Sequence, residues 1–270
     1  MKNILLLTDF SKSANNAISY ALSHFNSSPC HFFLMYVYKS GNFIMDDLMT
    51  SSSDTVYDAI IKDEKQELEH YKSKLTDEYK QHQFSTIIDY DDLLSAISQS
   101  IELNTIDLIV AGYDGATSLM ETVFGSNTLK IIRNIEHPTL IVPEEFHYQN
   151  IKNVLIPLDE SDKLNTSEFD RLLKFIDLKH TNIHVLRIDN DDTLAKSDKL
   201  HLEEKVVNYT YNIIKNVALP DAVMTYQQLN EIDLVGLIIE KESFLKRLIS
   251  ESSTTKISKS LNLPLLIVHN

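Results

Sequence analysis

Short apolar runs alternate with stretches of helical periodicity along the chain. The first run, residues 4–7, is continuously apolar, as expected of a strand that is buried on both faces. After it, Ser11 can cap a helix whose apolar residues recur at helical spacing up to Phe25. Strands that alternate with helices predict right-handed crossovers and a parallel sheet covered on both faces. The first half contains five such strands, predicted at residues 4–7, 32–37, 84–88, 106–111 and 139–142.

Helices are predicted between these strands. The second of them is long and polar, and its apolar stripe consists of Val56, Ile60, Leu68, Tyr71, Leu75 and Tyr79. Two more are predicted at residues 93–103 and 126–135. Between the second strand and the long helix lies the segment 41–54, which is rich in Ser and Met. It follows the carboxyl end of a strand, and it either closes over a ligand or forms a plain surface loop.

The second half of the chain repeats the first. Residues 2–9 align with residues 152–159, and residues 106–142 align with residues 232–268. The offset falls from 150 to 126 between the two alignments, so the second copy is shorter between its second and third strands. We predict domains at 1–146 and 147–270. The expected fold is α/β, with two tandem doubly wound domains, each a five-stranded parallel sheet with helices on both faces.

Composition and charge exclude several classes of protein. The chain has 39 acidic and 25 basic residues, and its net charge of −14 repels the phosphate backbone of nucleic acids. Hydrophobic residues make up 43% of the chain, which excludes wholesale disorder. The single Cys30 cannot form an internal disulfide and fits a reducing compartment. The apolar run after Lys2 is too short for an export signal or a membrane span. We therefore expect a soluble, cytoplasmic protein with no nucleic-acid or membrane partner.

Three of the five glycines follow the fourth strand. Gly112, Gly115 and Gly125 have the spacing Gly-x2-Gly-x9-Gly, and Ser126 then opens a helix. The N–H groups and the dipole of a helix N-terminus suit an anion. Asp9 ends the first strand and should lie beside Gly112 if strands one and four are neighbours, which is the usual ligand site of such sheets. The glycines either cradle a phosphate or serve only turns and a helix cap, and Asp9 either contacts a ligand, caps the first helix or binds its own backbone.

At residues 4–11, 107–126 and 137–143 the chain resembles the universal stress protein family, in its tandem two-domain form. The ATP-binding members of that family carry Gly-x2-Gly-x9-Gly-Ser/Thr, which Gly112, Gly115, Gly125 and Ser126 match. The resemblance implies a stress-response regulatory protein that binds an adenine nucleotide, ATP or else ADP or AMP, with or without Mg.

The resemblance also implies the residues that contact the nucleotide. At the adenine end they are Asp9 and the backbone near Val37, with Leu7 where proline is common in the family. On the ribose side they are Ala111 and Gly112, and at the phosphates they are Gly115, Gly125, Ser126, Asn127 and Thr128.

The second copy has lost this pattern. The offset of 126 places Ile238, Lys241 and Glu251 where the three glycines stand. A β-branched side chain at the first turn and a carboxylate beside the phosphates oppose nucleotide binding. We therefore predict that the second domain keeps the fold without the ligand. It should pack against the first as an intramolecular pseudo-dimer, like the homodimer of single-domain relatives. A homodimer of the whole chain and an unidentified regulatory protein are the further partners considered.

Little in the sequence supports catalysis or a metal site. There is no Gly-x4-Gly-Lys-Ser/Thr loop and no Ser-His-Asp pattern, so no catalytic residue is predicted. Lys130 and Arg133 could steady phosphates, but no residue stands out as a general base. His180 and His184 are four residues apart but fall across a loop and a strand start, so no metal ligand is predicted. A nucleotide-binding protein is therefore the leading hypothesis, and a slow ATP hydrolase and a ligand-independent scaffold are the alternatives.

Overall fold

Seven helices and ten strands alternate in the computed structural model, which describes residues 1–38, 62–114, 125–160, 162–188, 194–239 and 262–269. The first half contains β1 Lys2–Leu7, α1 Lys12–His24, β2 Cys30–Val37, α2 Lys62–Glu78, β3 Gln83–Asp89, α3 Leu93–Asn104, β4 Leu108–Tyr113, α4 Ser126–Asn134 and β5 Thr139–Pro143. The second half contains β6 Asn153–Leu158, α5 Ser167–Leu173, β7 Asn182–Ile188, α6 Ala195–Lys205, β8 Tyr209–Ile214, α7 Leu219–Leu229, β9 Leu234–Ile239 and β10 Leu265–His269.

Each half is a doubly wound parallel sheet, as the alternation of strands and helices predicts. The strand order is β3-β2-β1-β4-β5 in the first half and β8-β7-β6-β9-β10 in the second. The core residues of α1 and α2 belong to the cluster on one face of the sheet, and those of α3 and α4 belong to the cluster on the other. The predicted fold class is therefore confirmed. None of the described helices is both long and apolar enough to cross a membrane.

The two halves join into one ten-stranded sheet. β5 pairs with β10 in antiparallel orientation, with Leu140 opposite Leu266. On each face, a single cluster of buried apolar side chains contains residues from both halves. The halves therefore share their hydrophobic cores as well as a strand pair. Burial of apolar surface is the dominant favourable contribution to folding, so the shared cores stabilise the association of the halves.

The internal repeat is visible in equivalent contacts. The backbone N–H of Asn3 donates to Asp107 Oδ2 at 2.8 Å, and the N–H of Asn153 donates to Asp233 Oδ2 at 2.9 Å. The two pairs of residues are related by the offsets of 150 and 126 found in the sequence. Strand register agrees, because Gly112 lies opposite Val142 and Ile238 lies opposite Val268. The domain limits at 146 and 147 stay a prediction.

The predicted helix signals explain the start of α1 and the buried face of α2. The Ser11 hydroxyl accepts the N–H of Ala14 and so caps α1. In α2, Leu68 and Leu75 are buried as the apolar stripe predicts. Tyr71 and Tyr79 of the same stripe are partly buried against the same cluster, whereas Val56, Ile60 and the segment 41–54 lie outside the described residues. The second half is shorter between its second and third strands, as predicted, and its first helix also begins late, at Ser167.

A buried arginine organises the loop that follows β6. The side chain of Arg187 is fully buried, and its Nε donates to Asp198 Oδ2 at 2.6 Å. Its two terminal nitrogens donate to the carbonyl oxygens of Asp159 and Asp162, each at 3.0 Å. The hydroxyl of Tyr211 also donates to Asp198 Oδ2, at 2.6 Å. One guanidinium group therefore ties the loop after β6 to α6 and β8.

Burial lowers the pKa of six histidines below the ordinary value of 6.5, because it disfavours their charged form. They are His24, His31, His82, His137, His184 and His269. As the pH falls through about 6.5, the unfolded chain binds protons before the folded protein does, so the free energy of unfolding decreases. We expect thermal unfolding at a lower temperature at about pH 5.5 than at about pH 7.5, and a smaller decrease in His24→Gln. An unfolding temperature that is constant over this range would contradict the prediction.

Candidate functional site

A cavity of about 550 Å³ lies at the carboxyl ends of β1, β2 and β4, next to the N-terminus of α4. It forms there because β1 and β4 are neighbours in the sheet. The chain leaves β1 towards β2 and leaves β4 towards β5, in opposite directions along the sheet, and a crevice opens between the two connections. The described site residues predicted from the sequence all line this cavity: Leu7, Asp9, Val37, Ala111, Gly112, Gly125, Ser126, Asn127 and Thr128. Gly115 lies outside the described residues. That these residues bind a nucleotide stays a prediction.

Gly112 lies where α1 packs directly on β4. A Cβ atom added to Gly112 would lie 2.2 Å from the carbonyl oxygen of Ser13 and 2.8 Å from the backbone nitrogen of Ala14. No side chain fits in this space, so glycine is required here for helix–strand packing. The close approach brings the first turn of α1 to the cavity, where the Ser13 hydroxyl donates to Asp114 Oδ1 at 2.6 Å.

The second half shows how this requirement is removed. Ile238 occupies the position of Gly112 and is buried. The residue equivalent to the start of α1 is Asp162, but α5 begins only at Ser167. Since the first turn of the helix is missing there, a branched side chain can take its place. Lys241 and Glu251 lie outside the described residues.

The N-terminus of α4 is open towards the cavity. Gly125 is the N-cap residue, with φ −52° and ψ 156°, and as a glycine it has no side chain that could form the capping hydrogen bond. Apart from its chain neighbours, no atom of the described residues lies within 4 Å of a Cβ added to Gly125. The first N–H groups of an α-helix have no partner within the helix, and the dipole adds partial positive charge at this end. Lys130 also lines the cavity, whereas Arg133 does not, so α4 contributes a positively charged wall.

Asp9 binds its own backbone and also lines the cavity. Its Oδ1 accepts the N–H of Ser11 at 3.1 Å, and Ser11 is the residue that caps α1. The interpretation of Asp9 as the helix cap is therefore wrong. The side chain is exposed at the carboxyl end of β1, where it can also reach a ligand.

Sequence reasoning missed the wall that the residues directly after β2 and β3 contribute. Tyr38 and Tyr90 line the cavity, and their ring centroids are 6.5 Å apart. Asp91 and Asp92 follow, and Asp92 caps α3. A hydrogen bond from the Ser95 hydroxyl is the main reason that the pKa of Asp92 is lowered. Asp9 was placed at the site because it follows the carboxyl end of a strand. The same argument, applied to the neighbouring strands, would also have found Tyr38 and Tyr90.

The histidines singled out in the sequence are engaged elsewhere. The exposed His180 pairs with Asp177, with Nδ1 and Oδ2 2.7 Å apart. His184 is buried and shares hydrogen bonds with Tyr226 and Asn153. Among the residues with described positions, no three side chains of His, Cys, Asp or Glu are grouped as metal ligands.

Known proteins resemble this chain over its whole length. The model of the Universal stress protein family matches residues 1–143. A universal stress protein of Synechocystis sp. is 24% identical over an alignment 300 positions long, which covers 98% of this chain and 99% of that protein.

Solved structures also share the fold of both halves. The crystal structure of a universal stress protein from Archaeoglobus fulgidus superimposes with a TM-score of 0.69 at 14% identity, covering 99% of this chain and 98% of that one. A putative universal stress protein from Pseudomonas aeruginosa superimposes with a TM-score of 0.56 at 13% identity, covering 100% and 93%. The family match spans more than half of the chain and every described residue of the cavity. The chain therefore belongs to the universal stress protein family.

Proposed function

We propose that the first half binds an adenine nucleotide, ATP in the first place, in the cavity at the carboxyl ends of β1, β2 and β4. The observation that carries the proposal is the open N-terminus of α4 at Gly125, which faces a cavity with an apolar end. Its volume of about 550 Å³ lies within the range of small-molecule sites.

The chemistry of the cavity walls divides between the parts of ATP. The N–H groups at Gly125, Ser126, Asn127 and Thr128 would hold the phosphates together with Lys130, and Gly115 would join them. Ala111 and Gly112 border the ribose. Leu7 and Val37 offer apolar contacts to adenine, beside Asp9.

The cavity also carries several carboxylates, which favours the magnesium complex over free ATP. Among the described residues, four aspartates and one lysine, Lys130, line it. The aspartates are Asp9, Asp91, Asp92 and Asp114. Free ATP would be repelled by these groups, whereas bound Mg²⁺ offsets part of the phosphate charge. ADP and AMP, which carry less charge, are the competing ligands.

One nucleotide per chain follows from the asymmetry of the two halves. Ile238 puts a branched side chain at the position of Gly112, and Glu251 puts a carboxylate at the position of Gly125. In this proposal the second half is a partner that holds the fold of the first. Nucleotide occupancy then acts as a regulatory signal in a stress response, read by a protein partner in the cytoplasm.

Gly125→Glu tests the proposal, because it places the residue of the second half into the first. Apart from its chain neighbours, no atom of the described residues lies within 4 Å of a Cβ at Gly125, and an acidic residue at a helix N-terminus does not oppose the helix dipole. The carboxylate repels phosphate, so we expect the dissociation constant for Mg-ATP to rise by at least about tenfold in calorimetric titration.

Ala218→Glu is the matched control. It adds the same charge at the exposed N-cap of α7 in the second half, and we expect unchanged binding. Native mass spectrometry should find one nucleotide on the wild-type chain. Equal binding by both variants, or no binding by the folded wild-type chain, would refute the proposal.

A further inference from the structure

A second and larger cavity, of about 1140 Å³, lies between the two halves. We call it the seam cavity. It borders the amino ends of β1 and β6, so it lies at the other end of β1 from the candidate nucleotide site. Equivalent segments of both halves line it, at residues 23–30 and 174–177. Lys2 and Lys152 are related by the offset of 150, and so are Phe25 and Phe175.

The seam cavity is positively charged in an acidic protein. Three lysines line it, Lys2, Lys152 and Lys174, whereas the chain as a whole carries a net charge of −14. Asp177 is the carboxylate among its described lining residues, and this group already accepts a hydrogen bond from His180 at 2.7 Å. The charge of the cavity walls therefore favours an anion.

The floor of the seam cavity is aromatic. Lys2 Nζ lies 5.5 Å from the ring centroid of Phe25 and 5.7 Å from that of Phe175. Between the halves, the Nε2–H of His24 donates to the carbonyl oxygen of Phe175 at 2.8 Å. Burial lowers the pKa of His24, so this ring is neutral and adds aromatic surface rather than charge. Phe25 and Phe175 are themselves buried, whereas the rings of His24 and Tyr148 are half-buried and line the cavity with centroids 6.2 Å apart. An inorganic anion would leave the exposed parts of these two rings uncovered, whereas an anion with a ring of its own could contact them.

We propose that the seam cavity binds a small organic anion that carries an aromatic ring. Lys152 and Lys174, which are exposed, attract the anionic group, and the half-buried rings of His24 and Tyr148 contact the ring. Such a ligand contacts both halves at once and so strengthens their association. This site is independent of the proposed nucleotide site, which lies wholly in the first half.

Titration with anilinonaphthalene sulfonate, a fluorescent aromatic anion, tests the seam cavity. In the double variant Lys152→Glu/Lys174→Glu we expect the dissociation constant of the probe to rise by at least about tenfold. The matched control is Lys163→Glu/Lys196→Glu, which makes the same change of charge at two exposed lysines outside the cavity. There we expect a change of less than about twofold.

Hydrogen exchange locates the bound probe. We expect slower exchange at residues 23–30 and 174–181 when the probe is present, in the wild-type chain and in the control variant. Equal affinity of the two double variants, no binding by the wild-type chain, or protection confined to other segments would each overturn the proposal. Because all four lysines are exposed, thermal unfolding should show both variants folded.

Discussion

Gly112→Ala will lower the free energy of unfolding by about 3 kcal/mol or more, the upper end of what overpacked cores show. The added methyl group would lie 2.2 Å from the carbonyl oxygen of Ser13 and 2.8 Å from the nitrogen of Ala14. Both are backbone atoms of α1, so no side-chain rotation relieves the contact. The helix would have to move away from β4 and lose part of its buried face. Urea unfolding followed by circular dichroism measures the change.

Gly125→Ala is the control for this prediction, with the same substitution in the same glycine pattern. In the part of the chain that the structure describes, no atom beyond the chain neighbours lies within 4 Å of the new methyl group, and a φ of −52° suits alanine. Alanine is a poorer N-cap than glycine, so we expect a loss within about 1 kcal/mol. Similar losses in both variants would show that the contact between α1 and β4 does not determine the effect.

Arg187→Met will lower the free energy of unfolding by about 3–5 kcal/mol, the cost of removing one partner from a buried ion pair. The Asp198 side chain is only 3% exposed, so it would remain as a buried charge without its cation. The loop after β6 would also lose two hydrogen bonds, those accepted by the carbonyl oxygens of Asp159 and Asp162. Urea unfolding again gives the free energy.

Two further variants separate the charge effect from the loss of packing. Arg187→Met/Asp198→Leu removes both charges, and we expect it to be more stable than Arg187→Met alone. Lys205→Met breaks the half-exposed pair with Asp170, and we expect a loss of less than about 1 kcal/mol. If Arg187→Met costs no more than Lys205→Met, the buried pair does not stabilise the second half.

The doubly wound parallel fold of each half could be predicted from the sequence, whereas the strand pairing at the junction between the halves could not. Alternating apolar runs and helical stripes specify parallel strands, and the repeat shows that both halves share them. β5 and β10 are short apolar runs, as is every central strand here. Nothing in their pattern indicates which edge each one pairs with, because that depends on contacts between distant parts of the chain.

The residues of the candidate site were predicted better than their physical roles. Glycine spacing brought together Gly112, Gly125 and Ser126, and the cavity contains all three. The spacing alone does not show that Gly112 is required by the backbone of Ser13, because that contact joins residues about a hundred positions apart. Arg187 was missed for a similar reason, since its partners lie in α6 and in the loop after β6.

The antiparallel pairing of β5 with β10 also bears on how the chain is synthesised. β5 contains residues 139–143, and its partner residues are 265–267. At translation rates of about 5–20 residues per second, the first half emerges roughly 6–25 s before β10 does. During that interval the apolar edge of β5 is open to pairing with other chains, which is the usual origin of edge-to-edge aggregation. The nascent chain on the ribosome, rather than the finished protein, is therefore the form in which this edge needs protection by chaperones.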